Sequence, residues 1–184
     1  MIRYFLVLAV TGGSLLVANS ALGVLASGEV RGPHDVWHGV HLLFSLLTVV
    51  VLLGVHSIVY TYFIATTKWA GEVVRVYQLP DWLVAQAKRN KRRALRFIMG
   101  SITAIAITAW LGAAADTRGS AFSPWHLGAA TFTLAFNFGS FVIEYAGIVA
   151  HARLLLELKA QADALRVARQ RELAAGSAET AARA

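Results

Sequence analysis

Residues 37–64 read WHGVHLLFSLLTVVVLLGVHSIVYTYFI, and this stretch decides the fold class. It contains no Asp, Glu, Lys or Arg. About 20 apolar residues in helical form cross the ~30 Å hydrocarbon core of a bilayer. Because backbone polar groups in lipid must be satisfied within the segment, we expect this stretch to be a transmembrane helix.

Three further apolar stretches of similar length occur, at about 4–25, 97–115 and 125–149. Hydrophobic residues make up 57% of the chain and charged residues 15%, against about 25% charged in soluble domains. The first stretch is longer than the ~7–15-residue apolar core of a signal peptide, which favours a retained helix. The sequence therefore predicts an all-α integral membrane four-helix bundle of two helical hairpins over residues 1–152, followed by a cytoplasmic helical tail over 153–184.

The basic residues predict the orientation. Of the 17 Lys and Arg residues, 15 lie before the first span, in the connection 65–96, or after the fourth span. The connections 26–36 and 116–124 contain only Arg31 and Arg118. By the positive-inside rule, both termini are cytoplasmic in a multi-pass protein of the cell (inner) membrane. The net charge of +7 is then explained by topology and anionic lipid, and no nucleic-acid partner is expected.

The cytoplasmic segments alternate apolar and charged residues, which is typical of amphipathic helices. The second span is expected to continue beyond the membrane. Leu79-Pro80-Asp81 breaks the pattern, and an Asp after a Pro suits a helix N-cap. A short interfacial helix is therefore predicted from about Asp81.

The two halves of the chain share a weak internal similarity. Trp37-His38 opens span two and Trp125-His126 opens span four, 88 positions later. The same offset aligns His56 with Glu144. This pattern predicts a parallel repeat about an axis along the membrane normal, with chance similarity as the alternative.

Polar residues form one stripe on each of spans two and four. At about 100° per residue, the stripe of span four comprises His126, Thr133, Asn137, Glu144 and His151, and that of span two His38, Ser45, His56 and Tyr60. Ionisable residues in a bilayer cost at least ~2.5–3.5 kcal/mol and normally face the bundle interior. Spans two and four are thus expected to face each other, with His56 level with Glu144.

The outer histidines suggest a cofactor. His38 and His126 are expected at one depth, as bis-imidazole ligation of a b-type haem requires, and His41 is the substitute for His38. With such a haem, the chain would be an electron-transfer subunit of a larger membrane complex and would exchange electrons with quinone. A non-haem iron, copper or zinc site is the alternative, with imidazole and carboxylate ligands; its candidate ligands are His34, His38, His41, Asp116 and His126.

Two other functions remain open from the sequence. His56, Asn137, Glu144 and Tyr60 form a candidate proton relay of a proton or ion transporter. A structural or assembly subunit without a cofactor would use the same residues as interhelical hydrogen bonds. The expected partners are the bilayer and other membrane-complex subunits or further copies of the chain.

Catalysis by a separate domain is not indicated. The chain has no cysteine, which excludes disulfides, iron–sulfur clusters and thiol nucleophiles, and it has no nucleophile-elbow or phosphate-loop motif. The sequence leaves open whether the chain is an enzyme or a non-catalytic subunit of an oxidoreductase. At the level of fold alone, four helices with inward histidines resemble the small cytochrome b anchors of quinone-linked oxidoreductases.

Overall fold

The computed structural model describes residues 1–27, 36–118 and 120–183. Over these ranges the chain forms four α-helices and one short 3₁₀ turn at Ser120–Phe122. The helices are α1 (Ile2–Ser27), α2 (Val36–Tyr77), α3 (Trp82–Arg118) and α4 (Ser123–Arg183). Each is long and apolar enough to cross a membrane. The predicted all-α class with four such helices is confirmed.

The turn between α2 and α3 is tightly closed. Gln78 has a φ of 54°, the left-handed conformation that ends many helices, and the amide of Leu79 donates to the carbonyl of Val74 at 3.0 Å. This is a Schellman motif. Helix α3 begins at Trp82, directly after Asp81, and continues without a break into the third apolar stretch. The expected short interfacial helix is therefore the first part of α3.

The bundle contains four pairs of neighbouring helices. Helix α1 packs against α2 and α4, and α3 packs against the same two helices. Helices α2 and α4 also touch each other, whereas within the described ranges α1 and α3 do not. Helices α2 and α4 therefore occupy the short diagonal of the bundle, where their polar stripes can meet.

Contacts between α2 and α4 advance in the same direction along both helices. His56 contacts Glu144, and Thr66, further along, contacts His151. Around them lie two apolar cores. The larger one includes Leu52, Phe63, Ile98, Phe141 and Ile148, and the second, at the end nearest the α2–α3 turn, includes Val74, Leu83, Ala87, Leu154 and Leu158.

The pattern of buried residues in α2 repeats in α4. Six buried positions of α2 have buried counterparts in α4, each 85 residues later. The α2 positions are Thr48, Leu52, Val55, His56, Val59 and Phe63, and the α4 positions are Thr133, Asn137, Ser140, Phe141, Glu144 and Ile148. This register differs by three residues from the offset of 88 that the Trp-His pairs indicated.

Two counterpart pairs also touch each other. The rings of His56 and Phe141 stack with centroids 5.5 Å apart and an interplanar angle of 19°. Thr66 is hydrogen bonded to His151, and both pairs are separated by 85 residues. Equivalent residues meet only at a twofold axis, so an approximate internal twofold axis runs between α2 and α4.

Leu158 and Leu156 offer a test of the second core. Leu158 is fully buried and Leu156 is 68% exposed. We expect Leu158→Ala to lower the free energy of unfolding by about 2–5 kcal/mol, because it leaves a cavity. Leu156→Ala should change it by less than about 0.5 kcal/mol. Thermal unfolding of both variants in detergent measures this; equal losses would contradict the packing described.

Candidate functional site

A column of buried polar side chains follows the contact between α2 and α4. Its centre is an imidazole held between two side chains of α4. Nδ1 of His56 lies 2.9 Å from Oε1 of Glu144, and Nε2 lies 2.9 Å from Oδ1 of Asn137. All three side chains are fully buried. The structure thus brings together three of the four residues of the predicted relay.

The orientation of Asn137 is fixed by a third contact. Its Nδ2 donates to the backbone carbonyl of Thr133 at 2.8 Å. A flipped amide would place Oδ1 against that carbonyl oxygen, so Oδ1 must face His56. Nε2 of His56 therefore carries a hydrogen and donates to Asn137.

The contact between His56 and Glu144 then contains one proton. Since the hydrogen on Nε2 is engaged by Asn137, the short Nδ1···Oε1 contact needs a second hydrogen on one of its two atoms. The pair is either imidazolium with carboxylate or neutral imidazole with carboxylic acid. Both forms have the same number of protons and no net charge, so the pair avoids the cost of an isolated buried charge.

The fourth predicted relay residue lies elsewhere. Tyr60 is 40% exposed, and its hydroxyl forms no hydrogen bond within the described ranges. The remaining oxygen of Glu144, Oε2, is buried and has no hydrogen-bond partner among the described residues. The central site therefore has a free acceptor but is not joined to Tyr60.

At the end of the bundle opposite the α2–α3 turn, the predicted outer end, His38 and Asp116 form a pair. Nε2 of His38 lies 2.8 Å from Oδ1 of Asp116, and both side chains are partly exposed. In this position His38 is directed at α3. His126 is held against the same helix, one turn earlier at Gly112, and both histidines are within electrostatic reach of His41.

His126 is docked on a glycine of α3. Its Nδ1 donates to the carbonyl of Thr108 at 3.1 Å, which leaves Nε2 as the acceptor nitrogen. A Cβ added at Gly112 would lie 2.9 Å from Cε1 of the same ring. A backbone carbonyl that fixes the tautomer is a usual support of metal-ligating histidines.

In the α1–α2 pair, His41 has the place that His126 has in the α3–α4 pair. A Cβ added at Gly23 of α1 would lie 3.1 Å from its Cε1, and the backbone of Asn19, one turn earlier, is beside the same ring. His41 precedes His126 by 85 residues, and Asn19 precedes its counterpart Thr108 by 89. The same 89-residue offset relates the two glycines. Nδ1 of His41 is buried without a hydrogen-bond partner among the described residues.

The predicted multidentate metal site is not assembled. Within residues 1–27, 36–118 and 120–183, no three His, Asp or Glu side chains are grouped so that they could hold a metal ion. His34 lies outside the described residues. His41 is within electrostatic reach of His38 and His126, but His38 is engaged by Asp116. His41 and His126 are thus two imidazoles with equivalent surroundings at the same end of the bundle.

A second polar site lies toward the α2–α3 turn. Thr66 has one hydroxyl hydrogen, which it donates to the carbonyl of Tyr62. Its contact of 2.9 Å with Nε2 of His151 must therefore be donated by the imidazole. Nδ1 of His151 is then an acceptor, and it is buried without a partner in the described part of the chain.

Three helices contribute to this second site. Phe63, Ala94 and Gly147 meet in one layer, because a Cβ at Gly147 would lie 3.4 Å from Phe63 Cζ and 3.8 Å from Ala94 Cβ. One turn further inward on each helix is a residue with a buried, unpartnered polar atom: Thr67, Asn90 and His151. One acceptor, one amide donor and one hydroxyl are a set that a single water molecule can bridge.

Sequence reasoning missed Thr66, Thr67 and Asn90. Threonine and asparagine in an apolar helix carry little signal alone, since each can bond its own backbone. The available signal was positional. Thr66 lies 85 residues before His151, in the register that the buried positions later define.

Comparisons with protein-family models, with curated proteins and with solved structures find no match to this chain. The function must therefore be argued from the contacts themselves.

The proton shared by His56 and Glu144 predicts different effects for two substitutions. In Glu144→Gln, the amide can donate to Nδ1 of a neutral His56, so we expect a loss of stability below about 1 kcal/mol. In Glu144→Leu, Nδ1 is left unpaired, with an expected loss of about 1–3 kcal/mol. Thermal unfolding of both variants in detergent gives the comparison. A Gln variant as unstable as the Leu variant would contradict this assignment of hydrogens.

Adjacent threonines test the second polar site. Thr66→Val leaves Nε2–H of His151 without an acceptor, so we expect a loss of about 1–3 kcal/mol. Thr67→Val removes a buried hydroxyl that has no hydrogen-bond partner among the described residues, and we expect a smaller loss of stability than for Thr66→Val. Unfolding midpoints of the two variants check this, and a reversed order would show that the contact of Thr66 is misassigned.

Proposed function

We propose that this chain is a membrane-embedded electron-transfer subunit that holds a b-type haem between α2 and α4 near their outer ends. The proposal rests on one observation: His41 and His126 occupy matched settings on either side of the internal twofold axis. Each is docked on a glycine, with the backbone one turn earlier beside the ring. Bis-imidazole ligation needs two such histidines, from two helices, at one depth.

The residues fit such a group by three criteria. His126 has its tautomer fixed by Thr108 and keeps an acceptor nitrogen. Nδ1 of His41 is buried without a hydrogen-bond partner among the described residues. Gly23 and Gly112 provide the space in which each ring rests. His38, the residue that the sequence favoured, is tied to Asp116, so the proposed pair is His41 with His126.

When bound, the haem would supply reversible one-electron transfer. The residues of this chain would set its conditions: Thr108 orients one ligand, and surrounding apolar side chains limit water. His56 and Glu144 share a proton deeper in the bundle, and in this proposal they deliver it to the redox partner. Such a proton is what a quinone needs for every electron it accepts, which makes quinone the proposed redox partner.

The proposal includes the membrane placement. Helices of this length and composition, with 15 of the 17 Lys and Arg residues at one end, favour a multi-pass protein of the cell (inner) membrane with two hairpins and cytoplasmic termini. The chain has little mass outside its helices. Its proposed context is therefore a larger membrane complex that contains the donor or acceptor.

A second candidate function is proton transport without a cofactor. It is favoured by one observation: Oε2 of Glu144 is buried without a hydrogen-bond partner among the described residues, beside the proton that Oε1 shares with Nδ1 of His56. In that case the purified protein is colourless. Glu144→Gln would abolish proton flux into vesicles while the protein remains folded.

A dithionite-reduced minus oxidised spectrum of the purified protein, with iron analysis, tests the haem. We expect a sharp α-band and stoichiometric iron. His41→Ala and His126→Ala should each lose the band, because each removes one ligand. His38→Ala is the matched control and should keep it. A flat wild-type spectrum would refute the haem, and a band lost only in His38→Ala and His126→Ala would restore the ligand pair that the sequence favoured.

A further inference from the structure

A strongly basic stretch of α3 forms no ion pair with an acidic side chain of the described residues. It comprises Lys88, Arg89, Lys91, Arg92, Arg93 and Arg96. Within the described ranges, the three ion pairs closer than 4.0 Å involve none of these residues. Arg93 and Arg96 are exposed and lie directly before the third apolar stretch. Two uncompensated guanidinium groups thus stand at the point where α3 would leave the headgroup layer.

These two arginines share a groove with aromatic side chains. Arg93, Arg96, Phe97 and Phe136 line a surface cavity of about 280 Å³ between α3 and α4. The rings of Phe97 and Phe136 stack with centroids 6.2 Å apart. The ring of Phe136 also rests on Gly100, where a Cβ would lie 2.8 Å from its Cζ. The missing side chain at Gly100 therefore makes room for this ring.

The apolar part of the groove continues outward along α4. Phe132, one turn before Phe136, stacks on it with a centroid distance of 5.4 Å, and it is 59% exposed. The surface consequently has two cations at one end and a row of rings leading away from them. In the proposed membrane orientation, the cations are at the cytoplasmic headgroup level and the rings lie within the hydrocarbon.

We propose that this groove binds one anionic phospholipid of the cytoplasmic leaflet. Its phosphate lies between the guanidinium groups of Arg93 and Arg96, which bind planar oxygen pairs through two parallel hydrogen bonds. One acyl chain covers Phe97, Phe136 and Phe132. Basic pockets between transmembrane helices on the cytoplasmic side have this preference for anionic headgroups.

Charge selects the lipid class. A zwitterionic headgroup brings a cationic amine toward two arginines that lack carboxylate partners, whereas an anionic headgroup does not. Free phosphate would satisfy the cations alone and gain nothing from the aromatic row. The site thus distinguishes a lipid from a free anion by its apolar half. This inference rests on the proposed membrane insertion and is independent of the haem.

Native mass spectrometry of the full chain tests the site. The detergent-purified protein is mixed with equal amounts of phosphatidylglycerol and phosphatidylcholine of matched acyl chains. We expect one phosphatidylglycerol to be retained preferentially, and inorganic phosphate not to displace it. The double variant Arg93→Gln/Arg96→Gln should lose at least about tenfold in retention, equivalent to about 1.4 kcal/mol.

The control Arg89→Gln/Arg92→Gln removes the same charge from the same stretch and should stay within about twofold of the wild type. Phe136→Ala keeps all charges and should weaken retention by removing the apolar half. Equal losses in the two double variants, equal retention of both lipids, or displacement by phosphate would each overturn the proposal. The haem spectrum, recorded on the same variants, fails or succeeds separately, so the two proposals can be distinguished.

Discussion

The hydrogen bond between His56 and Glu144 constrains the rest of the bundle. Two fully buried ionisable groups, each from a different helix, are tolerable in an apolar interior only if they meet and share their proton. This requirement fixes the relative depth of α2 and α4. Asn137 and the carbonyl of Thr133 then fix the orientation of the imidazole. The apolar cores pack around a contact that allows little sliding between α2 and α4.

The internal twofold relation explains why the polar groups are distributed unequally. At the counterpart positions of Asn137 and Glu144, α2 has Leu52 and Val59, and His56 itself faces Phe141, its own counterpart. A fully symmetric arrangement would bury two histidines and two carboxylates in the same layer, at roughly twice the desolvation cost. The two halves therefore pack in the same way, but the interface between them contains a single pair of ionisable side chains that shares a proton. The outer end differs, because there both halves keep the histidine and its glycine.

The sequence predicted the four helices and the meeting of His56 with Glu144 because hydrophobic length and helical periodicity are local properties. Tyr60 was predicted to join the relay because, on an ideal helix, its side chain lies only about 40° from the polar stripe. In the folded bundle this side chain is instead partly exposed. The preference for His38 over His41 followed from the Trp-His similarity. Asp116 reaches His38 and Gly23 lies opposite His41, and both contacts depend on neighbouring helices, which the sequence alone does not place. The buried atoms of Thr67 and Asn90 were out of reach for the same reason, since neither residue stands out until three helices converge.

Helix α4 is a single rod of 61 residues, about 90 Å long at 1.5 Å per residue. The last apolar residue of α4 that is buried among the described residues is Ala162, and the helix continues for a further 20 or so residues, about 30 Å, beyond it. A rod without a hinge transmits rotation and translation along its whole length. A neighbour that contacts the far end of α4 would therefore be connected to His126 through one continuous helix.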